Sequence, residues 1–145
     1  MGYTIKNTLT LILFIQVILQ IVLLPAHAGE ISLETYHIVI SNGLKPGQAP
    51  VVVHCKSRDD DLGSKPLNRP GDIYAWHFTV NYSASTLYFC HFYWNDKDIS
   101  FDTFNFGIAF KCKESENVYW DVREDGFYSS CELGRDWVMT HSWTN

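Results

Sequence analysis

The sequence has no block of basic residues, and its 11 lysines and arginines are outnumbered by 16 aspartates and glutamates, for a net charge of −5. Nucleic-acid binding requires clustered Lys and Arg side chains that neutralise phosphates, so this composition argues against a nucleic-acid partner. The same acidic balance counts against a protein that perturbs membranes, because anionic lipid surfaces attract basic faces.

The motifs of common catalytic and metal centres are also missing. No cysteine pair has the C-x₂₋₄-C spacing of a structural zinc site, and there is no G-x-S-x-G nucleophile motif. His54, Ser57 and Asp59 are close in sequence, but the end of a strand does not assemble a nucleophile, a base and an orienting acid. In extended chain the consecutive side chains of Asp59–Asp61 point in alternate directions, which disfavours a shared calcium ion. The sequence predicts no enzyme activity, metal or cofactor.

The N-terminus has the order of features of a secretory signal peptide. Lys6 precedes an apolar run, Leu9–Leu24, which is followed by Pro25 and by small residues up to Ala28. The run is shorter than the roughly 20 residues that a bilayer core requires. We expect cleavage after Ala28, no membrane insertion, and a secreted, extracellular domain over residues 29–145.

All four cysteines follow the predicted signal peptide, at Cys55, Cys90, Cys112 and Cys131. An even number of cysteines in an exported chain predicts two disulfides. Three pairings are possible, and we favour Cys55–Cys131 with Cys90–Cys112.

Short β-branched and aromatic runs, separated by turn signals, fill the rest of the chain. In Ile73–Tyr82 the large apolar residues alternate with polar ones, and Asp125-Gly126 is a strong hairpin signal. Thr86–Trp94 is apolar on both faces, which predicts a central strand covered on both sides. The predicted strands are Thr35–Ser41, Pro50–Lys56, Ile73–Tyr82, Thr86–Trp94, Ile99–Phe106, Val118–Arg123, Phe127–Cys131 and Trp137–Trp143. Without helical periodicity beyond the signal, the fold class is all-β: a small, single-domain antiparallel β-sandwich with two disulfides.

Several fragments, in this order, carry a family resemblance: VHCKSRDDDLG from Val53, Trp76-His77-Phe78, TLYFCHFYW from Thr86, Phe101-Asp102, and YWDVREDGFY from Tyr119. Together they resemble the plant self-incompatibility proteins, also called S-protein homologues, over nearly the whole predicted domain. The resemblance implies a small secreted plant protein with a β-sandwich fold, two disulfides and no enzymatic activity or cofactor. It also implies a ligand whose loops are recognised by a membrane receptor on a partner cell, such as pollen.

Three cysteines, Cys55, Cys90 and Cys112, fall where the resemblance places them. The family's fourth cysteine usually stands shortly before a tryptophan, in an element that here is Val118-Tyr119-Trp120, whereas this chain has Cys131. The VHCKSRDDDLG stretch is a shared signature, and Asp side chains bond nearby backbone N–H groups in Asx-turns. We therefore interpret its aspartates as a folding element rather than a recognition site.

The function expected is that of a monomeric extracellular ligand in cell–cell recognition, in self-pollen rejection or related signalling. A small secreted hydrolase or carbohydrate-binding module, and a defence-type effector, are the alternatives. Asn81 begins an N-x-S sequon and is a candidate glycosylation site. The candidate recognition loops contain Asn95, Asp96, Lys97, Asp98, Lys113, Glu114, Ser115 and Glu116.

Intact mass measured before and after reduction tests the predicted bonding. Because the chain has four cysteines, two disulfides predict a gain of four hydrogen atoms. A gain of two, or no gain, would contradict two bridges, and an alkylating reagent should not label the unreduced, denatured protein.

Overall fold

The computed structural model describes residues 2–22, 33–81 and 83–144. It divides into two compact units, the first ending at Ser32 and the second beginning at Leu33. In the first, Gly2–Val22 forms helix α1, as expected for an apolar run without helix breakers. Among the described residues, no helix combines the length and hydropathy needed to cross a membrane. The predicted cleavage point after Ala28 lies outside the described residues, and it stays a prediction.

The second unit is a sandwich of two sheets. Its elements are β1 (Thr35–Asn42), β2 (Val51–Ser57), β3 (Asp61–Leu67), β4 (Ile73–Thr79), β5 (Tyr88–Trp94), β6 (Lys97–Phe104), α2 (Phe106–Lys111), β7 (Asn117–Arg123), β8 (Gly126–Ser130) and β9 (Val138–His141). One sheet has the strand order β4-β1-β7-β8-β9 and the other the order β3-β2-β5-β6. The all-β sandwich predicted from the sequence is confirmed.

The alternation of apolar residues explains which side of each strand faces the core. In β1, Tyr36, Ile38 and Ile40 are at most 1% exposed, while the residues between them face outward. Phe92 and Phe127 bring the inner faces of the two sheets into contact, with ring centroids 4.7 Å apart. Burial of these large side chains is the main stabilising contribution to a domain of this size.

Three features differ from the expectations. The β1–β7 pair is parallel, whereas the other strand pairs of the sandwich are antiparallel. Strand β5 is central in its sheet but covered on one face only, since Phe89 and Tyr93 are exposed on the other. Strand β3 was not predicted, because its sequence, DLGSKPL, lacks β-branched residues and contains Gly63 and Pro66. It is an edge strand, where proline is tolerated.

The acidic signature after β2 is a folding element, as interpreted. The hydroxyl of Ser57 accepts hydrogen bonds from the backbone N–H groups of Asp59 and Asp60, at 3.2 and 2.9 Å. The carboxylate of Asp61 accepts one from the N–H of Gly63 at 2.9 Å, the geometry of an Asx-turn, and bonds Nε2 of His54 at 2.6 Å. These contacts hold the pKa of Asp61 at about 2, with the His54 bond as the largest cause. They fix the turn from β2 into β3.

Both disulfides are present, but the favoured pairing is wrong: the bonds are Cys55–Cys90 and Cys112–Cys131. Cys55 and Cys90 are directly opposite in the antiparallel β2–β5 pair, with Cα atoms 4.1 Å apart. Cys112 ends α2, and its bond joins that helix to the residue after β8. Sequence spacing contains no information on strand order, which is what decides these pairs.

The Cys112–Cys131 bond should stabilise the domain by constraining the unfolded chain. For its sequence separation of 19 residues the loop-entropy model gives about 3 kcal/mol. Replacing both cysteines with serine should lower the free energy of unfolding by that amount, measured by urea denaturation without reductant.

For comparison, Cys55 and Cys90 are replaced with alanine. Their disulfide closes a loop with a sequence separation of 35 residues, and its removal should lower the free energy of unfolding by about 4 kcal/mol on the same model. A loss below about 1 kcal/mol for the Cys112/Cys131 pair, against the 2–4 kcal/mol typical of disulfides, would show that α2 is held without its bond.

Candidate recognition site

One end of the sandwich, which we call the α2 end, collects α2 and the loops around it. The hydroxyl of Tyr36, near the start of β1, donates to the carbonyl oxygen of Ala109 in α2 at 2.9 Å. The N–H of His37 donates to the carbonyl oxygen of Glu116 at 2.9 Å, which fixes the turn between α2 and β7. The Asp59–Asp60 turn is at this end too: Ser57 pairs with Tyr88 on β5, and Tyr88 pairs with Phe104, the residue at which β6 ends before α2.

Helix α2 exposes two aromatic residues while its other side packs on the sandwich. Its N-cap is Asn105, whose side-chain oxygen accepts a hydrogen bond from the N–H of Ile108 at 3.1 Å. Ile108 and Ala109 pack against the core. Phe106 and Phe110, four positions apart on one face, are 62% and 75% exposed. The i, i+4 phenylalanine pair is visible in the sequence, but α2 is too short for periodicity to predict it.

Beside α2 lies a cleft of about 340 Å³, which we call the α2 cleft. Its apolar part is formed by Ile108, the Cys112–Cys131 bond and the largely buried Val118 and Trp120. Its polar lining consists of Asp102, Asn105, Lys111, Ser129, Ser130, Thr140 and His141. Residues from β6, α2, β7, β8 and β9 therefore converge on one cavity, at the small end of the volume range of ligand pockets.

Asp102, His141 and Lys111 are the ionisable residues among those that line the α2 cleft, and the first two lie in its wall of strands. The side-chain amide of Asn105 donates to Asp102 at 3.2 Å, and no cationic side chain of the described residues forms an ion pair with that carboxylate. The imidazole of His141 stacks on Phe101 with ring centroids 3.9 Å apart. Burial lowers the pKa of His141, and the negative charge of Asp102 partly opposes this. The cleft thus contains an imidazole whose protonation is disfavoured by burial, beside a carboxylate.

The described residues of the α2 cleft do not form the hydrogen-bonded nucleophile and base of a serine hydrolase. Ser129 shares the α2 cleft with His141 and Asp102, yet no hydrogen bond joins its hydroxyl to the imidazole in the described part of the chain. Nδ1 of His141 is instead bonded to the hydroxyl of Thr140 at 3.0 Å. A nucleophile needs an adjacent base that is oriented by a third group. Within residues 2–22, 33–81 and 83–144, no three His, Cys, Asp or Glu side chains are placed to hold a metal ion.

The candidate loops predicted from the sequence lie at opposite ends of the sandwich. Asn95 and Asp96 form the β5–β6 turn, far along β6 from α2, and Lys97 and Asp98 begin β6. Asp98 accepts a hydrogen bond from Nε2 of His91 at 2.7 Å.

The second candidate loop is at the α2 end. Lys113, Glu114, Ser115 and Glu116 follow Cys112 there, beside the α2 cleft. Sequence reasoning missed Asp102 and His141 as site residues, since they come together only through the pairing of distant strands.

Asn81, the predicted glycosylation site, is exposed near the α2 end. Its amide nitrogen donates to the hydroxyl of Ser85 at 2.8 Å, and its oxygen accepts from the N–H of Ser85 at 2.9 Å. The next residue, Tyr82, lies outside the described residues. Glycosylation of Asn81 stays a prediction.

Comparisons with known proteins agree on one family. A family model described as plant self-incompatibility protein S1 matches residues 37–143. Two Arabidopsis thaliana proteins, S-protein homolog 6 and S-protein homolog 2, are 37% and 38% identical over 92 and 93 residues, which is 63% and 61% of this chain. The matches span 65% and 56% of those relatives' own lengths.

A solved structure of an SPH (self-incompatibility protein homologue) protein shows the same fold. The likeness has a TM-score of 0.62 and covers 79% of this chain and 98% of that chain, at 18% identity. That protein is described as one of a widespread family of small, highly stable, secreted proteins from plants.

The lowered pKa of His141 predicts a loss of stability in mild acid. The ordinary pKa of histidine is about 6.5. Below that pH the imidazole of His141 is protonated more readily in the unfolded chain than in the folded protein, because burial lowers its pKa in the fold. Unfolding therefore becomes more favourable as the pH falls. His141→Gln should reduce the drop in melting temperature between pH 7.5 and 5. His77→Gln, at an exposed position of β4, is the control, and equal drops in both variants would contradict the assignment.

Proposed function

The chain belongs to the plant self-incompatibility protein S1 family, and from that membership we propose that it is a secreted, non-enzymatic ligand recognised by a membrane receptor on a partner cell. Its role would be cell–cell recognition, in self-pollen rejection or a related signal. The receptor would bind the α2 end, and the signal would require no reaction on the ligand itself.

The observation that carries this proposal is the exposure of Phe106 and Phe110. When a partner covers an exposed aromatic pair, apolar surface is removed from water, which favours binding. Aromatic residues also dominate the binding energy of many protein interfaces. The pair lies on the same helix that borders the α2 cleft and precedes the Lys113–Glu116 turn, and the cleft and the turn supply polar groups at this end of the sandwich. An apolar centre with a polar surround is the usual anatomy of a protein–protein interface.

The rigidity of the α2 end supports the same role. Cys112 is bonded to Cys131, and α2 is held to β1 by the hydrogen bond from Tyr36 to Ala109. A surface that is already ordered loses less conformational entropy when it binds. The two phenylalanines are therefore presented in a fixed position.

Binding of labelled protein to intact pollen or other plant cells tests the proposal. The double variant Phe106→Ala/Phe110→Ala should weaken saturable binding at least about tenfold, because aromatic residues at interface centres commonly contribute 2 kcal/mol or more. Protease treatment of the cell surface should abolish binding of the unmodified protein, since the receptor is a protein.

The matched control is Ile73→Ala, which shortens a half-exposed apolar side chain at the far end of the sandwich. Both variants should unfold at the temperature of the parent protein. Full binding by the phenylalanine variant, or binding that survives protease treatment, would overturn the assignment of the α2 end. Genotype-dependent arrest of pollen tubes would identify the signal as self-pollen rejection.

A further inference from the structure

The carboxylate of Asp102 is partly buried and has no cationic partner among the described residues. Its one hydrogen bond in the described part of the chain comes from the neutral amide of Asn105. Charged groups withdrawn from water are normally paired with an opposite charge. The cleft therefore offers a carboxylate that no cation of the described residues pairs with.

The rest of the α2 cleft fits the body of a long side chain. Ile108, Val118 and Trp120 provide apolar contact, and the imidazole of His141 provides a flat ring at the wall. At about 340 Å³ the cavity admits one extended side chain rather than a helix or a large cofactor.

We propose that the α2 cleft receives an arginine side chain of the receptor, with the guanidinium paired to Asp102. The inference rests on the proposed function, because it names the partner chemistry at the same end of the sandwich. A planar guanidinium can pair with one carboxylate through two parallel hydrogen bonds and stack flat on a ring, whereas a lysine ammonium is a compact point charge without that planar geometry. The acidic surplus of the chain, net −5, attracts a basic partner surface as well.

Lys111 also lines the α2 cleft, but it does not neutralise Asp102. Lys111 is exposed in the last turn of α2, and its ammonium forms no ion pair with a carboxylate of the described residues. A cation near the C-terminus of a helix is stabilised by the carbonyl groups there. The long side chain remains free to move into solvent when a guanidinium enters.

Titration of the secreted protein with short capped peptides, followed by NMR, tests the proposal. The probe is acetyl-Gly-Arg-Gly-amide, and the comparison peptides contain lysine or citrulline, the latter being a neutral analogue of arginine. The arginine peptide should shift the signals of the Trp120 indole and the His141 imidazole. The citrulline peptide should bind at least about tenfold more weakly, since charge-assisted hydrogen bonds are the stronger class.

The variant Asp102→Asn keeps the shape of the side chain and removes its charge, so it should also lose about tenfold in affinity for the arginine peptide. Asp96→Asn is the matched control, because Asp96 is exposed in the β5–β6 turn at the other end. Equal binding of the citrulline peptide, unchanged affinity in Asp102→Asn, or no binding of the arginine peptide would overturn the inference. Shifts of the same two signals by glucose alone would instead identify a saccharide site.

Cell binding separates failure of this inference from failure of the proposed function. If the arginine peptide does not bind but Phe106→Ala/Phe110→Ala still weakens cell binding, the receptor uses the α2 end without an arginine. If the peptide binds and Asp102→Asn binds cells like the parent protein, the arginine is not supplied by the receptor, and the inference is wrong.

Discussion

The bond between Cys112 and Cys131 is the constraint on which the α2 end depends. A helix of six residues is not stable by itself, because nucleation of a helix costs more than so few hydrogen bonds return. The disulfide attaches the C-cap of α2 to the end of β8, and Tyr36 holds the same helix to β1. The cleft, the exposed phenylalanines and the following turn all take their positions from a helix that is fixed at these two points.

Most strands were predictable because their apolar residues alternate. The exceptions among the elements are β3 and α2, whose local sequences do not indicate which of their residues are buried. β4 buries Tyr74 and exposes its neighbours, as the pattern of Ile73–Tyr82 predicts. β3 owes its strand conformation to pairing with β2 rather than to its own residues. α2 presents phenylalanines to solvent, which reverses the usual relation between hydrophobicity and burial.

The site was less predictable than the fold, since it is made by strands that are distant in sequence. Lys113 and Glu114 of the predicted recognition loop are exposed, and the role of that loop in recognition stays a prediction. Nothing in the local sequence of Asp102 or His141 indicates that β6 and β9 bring them to one cavity.

The family resemblance placed a cysteine at position 118, and the Tyr119–Ser130 register puts Cys131 beside Val118 on the neighbouring strand. The bond to Cys112 is thus made from almost the same point in space.

The parallel pairing of β1 with β7 has a consequence for biosynthesis. β1 is the first strand of the sandwich to leave the ribosome, and one of its edges is completed by β4, but the other stays unpaired until β7 has been made. Until then the backbone groups along Ile38 and Ile40 form an open, apolar edge, which is a template for association with other chains. That edge therefore stays open to association with other chains during much of synthesis, and a strand pair distant in sequence closes it late.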